Sequence, residues 1–134
     1  MLSTWHGMLV FFCFFYAASS LVFVWLQGYR SRGGDEEENA LHRHWVKHFV
    51  SSLFLGVLGV EGLIQLHGGL WDTSWVAWLH WAFVVILSTL LVLVLFFFTG
   101  LKNPKVHVPL VYMLMVTFCG TLVTGSVLLS RFPG

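Results

Sequence analysis

Seven histidines are the side chains of this sequence with the most capacity for chemistry. Imidazole is a common metal ligand near neutral pH, and two histidines that face each other across a helical bundle supply both axial ligands of a b-type heme. The histidines are His6, His42, His44, His48, His67, His80 and His107. They predict a metal or heme site if the rest of the chain brings them together.

The other side chains point to no further chemistry. The sequence has no Gly-rich phosphate loop ahead of a helix, no convincing Ser/His/Asp order and no carboxylate pair suited to hydrolysis. Cys13 and Cys119 form no CxxC motif, which is typical of inert cysteines in a helix core. The net charge of +1 gives no basis for nucleic-acid binding, and we do not expect an enzyme that acts alone.

The rest of the chain, which must position the histidines, has the composition of a membrane protein. The chain of 134 residues is 57% hydrophobic and 10% charged, with a mean hydropathy of +0.82, whereas an average soluble domain has roughly 25% charged residues. Four apolar runs each have about the ~20 residues that cross ~30 Å of hydrocarbon. They predict helices over about residues 6–27, 45–66, 74–100 and 106–130. We therefore expect an all-α integral membrane protein, a single membrane domain over residues 1–134, folded as an up-down bundle of four transmembrane helices.

The positive charges predict the orientation, because Lys and Arg near helix ends stay on the cytoplasmic side. Six of the seven Lys and Arg lie in the first and third loops, and only Arg131 lies at the other face. Both termini are thus expected outside the cytoplasm, in a multi-pass protein of a bacterial inner membrane or its organellar equivalent. The acidic run from Asp35 to Glu38 is interpreted as a solvated loop tip.

Small residues predict which helix faces pack closely, because helices in lipid approach each other where side chains are short. The second helix carries such a stripe in Ser52, Gly56, Gly59 and Gly62. The fourth helix carries one in Thr117, Thr121, Thr124 and Gly125, with Gly120 beside it. We expect the second and fourth helices to form a closely packed pair.

The up-down path places four histidines near the inner membrane face: His42, His44, His48 and His107. His48 and His107 begin the two helices with small-residue stripes, so they are the predicted ligands. His44 lies one turn before His48 on the same face and forms an HxxxH pair with it. The alternative is that histidines at the interface only hydrogen-bond to headgroups or backbone, which we favour for His42 and for His6 on the outer side.

A second site is predicted at the outer face, where His67 and His80 flank the loop of residues 68–73. Glu61 is the acid within a membrane segment, and such a residue is a functional candidate by default. It is a candidate ligand, a proton carrier or a neutral acid bonded to Gln65. Its helical phase differs from that of His67 by about 120°, which argues against simple joint ligation.

The second half of the chain, roughly residues 42–129, resembles small histidine-bearing bacterial membrane proteins associated with the maturation of terminal cytochrome oxidases. The resembling features are His42-Arg43, Ser51-Ser52-Leu53-Phe54-Leu55, His80, His107 and Thr124-Gly125. The resemblance implies a four-helix architecture and a respiratory-chain context. In architecture alone, the chain is similar to dihaem four-helix cytochromes b, which have one histidine pair per membrane face.

Together these features predict a small membrane subunit or assembly factor of a respiratory or other redox complex. It is expected to bind heme b or copper through His48 and His107, with His44 as an additional candidate and His67 with His80 as a second site. The expected partners are the lipid bilayer and larger membrane subunits. The alternative is a structural subunit without a cofactor that packs against larger partners, and quinone binding or proton uptake by the histidines also stays open.

Overall fold

The computed structural model describes residues 4–30, 35–66, 74–97 and 104–131, and almost all of them are helical. Four long helices follow one another along the chain: α1 (Thr4–Arg30), α2 (Glu36–Leu66), α3 (Trp75–Val92) and α4 (Pro104–Ser130). A short π-helical segment, Leu93–Phe97, continues α3. The prediction of an all-helical chain is therefore confirmed for the described residues.

Three of these helices are long and apolar enough to cross a membrane. The segments are Trp5–Arg30, Trp75–Leu95 and Lys105–Ser130, with mean hydropathies of 2.2, 2.3 and 1.9. At ~1.5 Å per residue, even the shortest of them reaches about the ~30 Å of a hydrocarbon core. The chain is thus suited to a multi-pass membrane location. A fourth span, on α2, stays a prediction.

The start of α2 differs from the prediction, because the helix begins at Glu36 rather than near residue 45. Asp35 precedes the helix, and its Oδ1 atom accepts a hydrogen bond of 3.0 Å from the Glu38 backbone N–H. A carboxylate in this position satisfies a free N–H group, and acidic side chains in a first turn complement the helix dipole. The interpretation of the acidic run as a loop tip was therefore wrong, since residues 36–38 form the first turn of α2.

The described helices fall into two compact units, α1 with α2 and α3 with α4, and each unit is a helical hairpin. In the first hairpin, α1 and α2 run antiparallel and approach each other at glycines. A Cβ atom added to Gly56 would lie 3.2 Å from the Phe14 ring, and one added to Gly59 would lie 3.1 Å from Val10. The small-residue stripe of α2 therefore packs against α1, whereas its pattern predicts a close contact with the fourth helix.

The second hairpin, formed by α3 and α4, is packed in the same way, with glycines of its second helix against side chains of its first. A Cβ atom added to Gly120 would lie 2.8 Å from the Phe83 ring, and one added to Gly125 would lie 3.1 Å from Cε1 of His80. The stripe of α4 thus packs against α3. Large apolar side chains cover much of the outside of both hairpins, which is the surface that a lipid environment requires.

Candidate functional site

The α1–α2 hairpin gathers histidine and aromatic rings into one group, which we call the aromatic cluster: Tyr16 and Phe23 from α1, and His44, Trp45 and His48 from α2. The rings of His44 and His48 have centroids 4.4 Å apart, at an angle of 64°. This proximity follows from their spacing of four residues on a helix. Trp45 stacks on Phe23 at 4.6 Å and 16°, which fixes the helices against each other beside the histidines. The predicted shared face of His44 and His48 is confirmed.

Tyr16 is the partner of His48 across the hairpin. The Tyr16 Oη and His48 Nδ1 atoms are 3.0 Å apart, a hydrogen-bond distance. Tyr16 lies near the middle of Trp5–Arg30, a segment long and apolar enough to cross a membrane. Its contact places His48 beside the interior of this segment, whereas the sequence predicted a position near the inner membrane face. At such a depth in a bilayer, a phenol hydroxyl has no water to bond with. The bond therefore stabilises both side chains and holds the imidazole in one orientation.

This hydrogen bond decides what the His48 ring can do with its other nitrogen. When Nδ1–H donates to the Tyr16 oxygen, Nε2 carries a lone pair and can bind a metal. Histidine ligands of metals typically donate their second ring N–H in this way, which orients the ring and raises its basicity. Within the described part of the chain, Nε2 of His48 makes no hydrogen bond. The geometry thus fits a ligand role for His48.

An open groove of about 470 Å³ runs along the same hairpin beside the Tyr16–His48 bond. Its lining residues are Leu9, Phe12, Cys13, Phe15, Tyr16, His48, Ser51, Ser52 and Leu55. The Ser52 hydroxyl bonds to the carbonyl oxygens of His48 and Phe49, at 2.7 and 3.0 Å. The wall is therefore mainly apolar, with the Tyr16–His48 pair as its main polar feature.

In the second hairpin, α4 holds His80 by a hydrogen bond and a glycine. His80 Nδ1 lies 2.9 Å from Thr124 Oγ1, and Thr124 Oγ1 in turn lies 2.7 Å from the Gly120 carbonyl oxygen, to which it donates. Because a hydroxyl has one hydrogen, the Thr124 oxygen accepts from Nδ1–H of His80. Gly125 provides the space for the ring. Thr124 and Gly125 thus together hold the His80 ring against α4.

The remaining predicted residues are placed as follows. His107 is half-buried near the start of α4, in a different unit from His48, and the predicted pairing of the two stays a prediction. Glu61 is exposed on α2. His67 lies outside the described residues, so the His67–His80 site also stays a prediction. No group of three or more His, Cys, Asp or Glu side chains that could hold a metal ion occurs among the residues that the structure describes.

His42 and His6, for which the sequence favoured a structural role, lie apart from the aromatic cluster's histidine pair. The His42 ring packs against Gly28, where an added Cβ atom would lie 3.0 Å from its Cε1 atom. His6 is exposed near the start of α1. The structure therefore gives His42 a packing role between α1 and α2.

Sequence reasoning missed the two hydroxyl partners, Tyr16 and Thr124. A signal for Tyr16 existed, since a phenol in the middle of an apolar run needs a partner. Thr124 had been noted only as a small residue. No protein-family model, curated protein or solved structure matches the chain. The site is therefore interpreted from its own chemistry.

Proposed function

We propose that this protein is a small membrane subunit or assembly factor of a respiratory or other redox complex, and that His48 and His107 bind its cofactor, heme b or copper. The observation that supports the proposal best is the hydrogen bond between Tyr16 Oη and His48 Nδ1. It orients an imidazole on the α1–α2 hairpin and leaves Nε2 as the nitrogen available to a metal.

Heme b and copper are both candidate cofactors, because imidazole binds either of them. A b-type heme needs one or two imidazole ligands. The oriented imidazole of His48 suits this role, and His44, with its ring 4.4 Å away, is the additional candidate.

A bound heme b would supply one-electron transfer between redox partners. The chain itself holds the ligand imidazoles, excludes water with apolar helix faces and tunes the potential through the Tyr16–His48 hydrogen bond. His80, on the α3–α4 hairpin, and His67, which lies outside the described residues, are proposed as the second ligand pair. Thr124 orients His80 there as Tyr16 orients His48.

The proposed setting is a four-span, up-down bundle with both termini outside the cytoplasm. Helix α2 has 31 residues and at ~1.5 Å per residue is longer than the ~30 Å of a hydrocarbon core. Its second half is apolar apart from Glu61 and Gln65. Glu61 then lies at membrane depth, where it is a candidate proton carrier or second-site ligand. The exposed apolar faces of both hairpins are available to lipid and to larger membrane subunits.

The test is to purify the chain in detergent and measure its visible spectrum, heme content and copper content. We expect a Soret band that is lost in His48→Ala and in His107→Ala. His6→Ala serves as the matched control, because His6 is exposed on α1 outside the aromatic cluster. Bound copper without a Soret band would identify copper, and not heme, as the cofactor. A colourless, metal-free protein that still assembles with larger subunits would instead support the structural alternative.

A further inference from the structure

The groove beside the aromatic cluster has a regular origin in the two helices that form it. Its lining residues on α1 and α2 recur at intervals of three and four, so each helix contributes one stripe. Each stripe spans about two turns, or ~10 Å. The helices run antiparallel, so the groove extends from the Tyr16–His48 pair toward Leu9 on α1. Its volume is about 470 Å³, and it is open along one side.

The Tyr16 hydroxyl and the neutral His48 imidazole carry one polar hydrogen each, and the bond between them uses only one of the two. If Nδ1–H of His48 donates to Tyr16, the Tyr16 O–H remains. If Tyr16 O–H donates to Nδ1, the hydrogen on Nε2 of His48 remains. No described residue accepts this hydrogen in either arrangement. Ser51, which also lines the groove, can rotate its hydroxyl onto a carbonyl of its own helix, but neither ring can do so.

This remaining hydrogen selects what fits the groove, because a donor left without an acceptor in an apolar setting is costly. A lipid acyl chain or an apolar helix face brings no acceptor. The ester carbonyls of lipids lie near the headgroups, whereas Tyr16 is near the middle of the segment Trp5–Arg30. The matching ligand is an apolar molecule that carries a carbonyl oxygen within the hydrocarbon layer.

We propose that this groove binds the ring of a membrane quinone, with one ring carbonyl accepting the remaining hydrogen of the Tyr16–His48 pair. Phe12 and Phe15 offer aromatic contacts for the ring, and Leu9 and Leu55 offer apolar contacts for the tail. The site goes beyond the proposed cofactor and does not depend on it. It is compatible with a metal on Nε2 of His48, since Tyr16 then keeps its O–H for the quinone.

The experiment uses the full chain in detergent and an azido-ubiquinone, which forms a covalent link under light, with decyl-ubiquinone as competitor. Mass spectrometry locates the linked peptides. We expect the label on α1 and α2 peptides that line the groove, and we expect the competitor to remove it. In Tyr16→Phe, the competitor should bind about three- to tenfold more weakly, as expected for the loss of one hydrogen bond.

Two further variants make the result specific. Tyr112→Phe, on α4, is the matched control and should leave the competition unchanged. Leu9→Trp fills the groove without touching the Tyr16–His48 bond and should abolish the label. Equal behaviour of Tyr16→Phe and Tyr112→Phe, or a label spread over all helices without competition, would overturn the quinone site in favour of a lipid-filled groove.

Heme content measured on the same samples separates this inference from the proposed function. Tyr16→Phe retains the His48 imidazole and is expected to keep its heme while it loses quinone affinity. A protein without heme that still shows competed labelling would refute the cofactor and support the quinone site. A protein with heme and no competed labelling would do the reverse.

Discussion

Replacing Thr124 by valine tests how α4 holds His80. Valine has nearly the shape of threonine but no hydroxyl, so Thr124→Val removes the acceptor 2.9 Å from His80 Nδ1 and leaves the packing almost unchanged. It also removes the bond from the Thr124 hydroxyl to the Gly120 carbonyl. That second bond lies within one helix and contributes little to stability.

The magnitude follows from two opposing considerations. A buried donor that loses its acceptor costs about 1–3 kcal/mol, but hydrogen bonds between transmembrane helices average only ~0.6 kcal/mol and reach ~1.7. His80 is half-buried, and its ring also hydrogen-bonds to the Thr121 backbone. We therefore expect a loss of about 1 kcal/mol in the free energy of unfolding, which is about a fivefold change in the unfolding equilibrium.

The assay is reversible unfolding in mixed micelles with increasing dodecyl sulfate, followed by helical circular dichroism. Thr121→Val is the matched control, because among the described residues the Thr121 hydroxyl bonds only to the Thr117 carbonyl of its own helix, at 2.8 Å. It should lose at most a few tenths of a kcal/mol. If the two valine variants are equally stable, the His80–Thr124 bond does not hold the hairpin together and the reasoning is refuted.

Three further predictions use other features of the hairpins. Gly120→Val should destabilise the protein by about 1–3 kcal/mol through overpacking, since even a Cβ atom would lie 2.8 Å from the Phe83 ring. In the same unfolding assay, Phe83→Leu should partly restore the stability of Gly120→Val. A Gly120→Val variant as stable as the wild type would contradict the close approach of the helices. Ser20 is 1% exposed, and its hydroxyl has no hydrogen-bond partner among the described residues. Ser20→Ala should therefore leave the free energy of unfolding unchanged or raise it by up to about 1 kcal/mol. A clear decrease in stability would show that the hydroxyl has a hydrogen-bond partner. Glu36→Cys, in a chain whose two native cysteines are replaced, should react with a membrane-impermeant maleimide only from the cytoplasmic side. Labelling from the outside would reverse the proposed orientation.

The sequence predicted the elements well where a single physical cause decides them. Apolar runs long enough to cross a bilayer identified α1, α3 and α4 as segments suited to spanning. The start of α2 was missed because its first turns are polar. There, Asp35 and the acidic residues that follow stabilise the free N–H groups of a helix that hydropathy does not reveal.

The candidate site was predictable only in part. The contact of His44 with His48 follows from helical periodicity, which acts within one helix. The contacts of His48 with Tyr16 and of His80 with Thr124 join residues 32 and 44 positions apart. They depend on how the two helices of a hairpin are aligned, and glycines such as Gly56 and Gly125 set that alignment by close approach. A small-residue stripe indicates that a helix has a close partner, but it does not say which one.

The axial ligation of the heme tests the central proposal most directly. Electron paramagnetic resonance of the oxidised, purified protein distinguishes iron held by two imidazoles, which is low-spin, from iron that has lost one of them. We expect a low-spin signal in the wild-type protein that is lost in both His48→Ala and His107→Ala and retained in His6→Ala. A wild-type protein without a heme signal, or a low-spin signal that survives His48→Ala, would contradict the proposal.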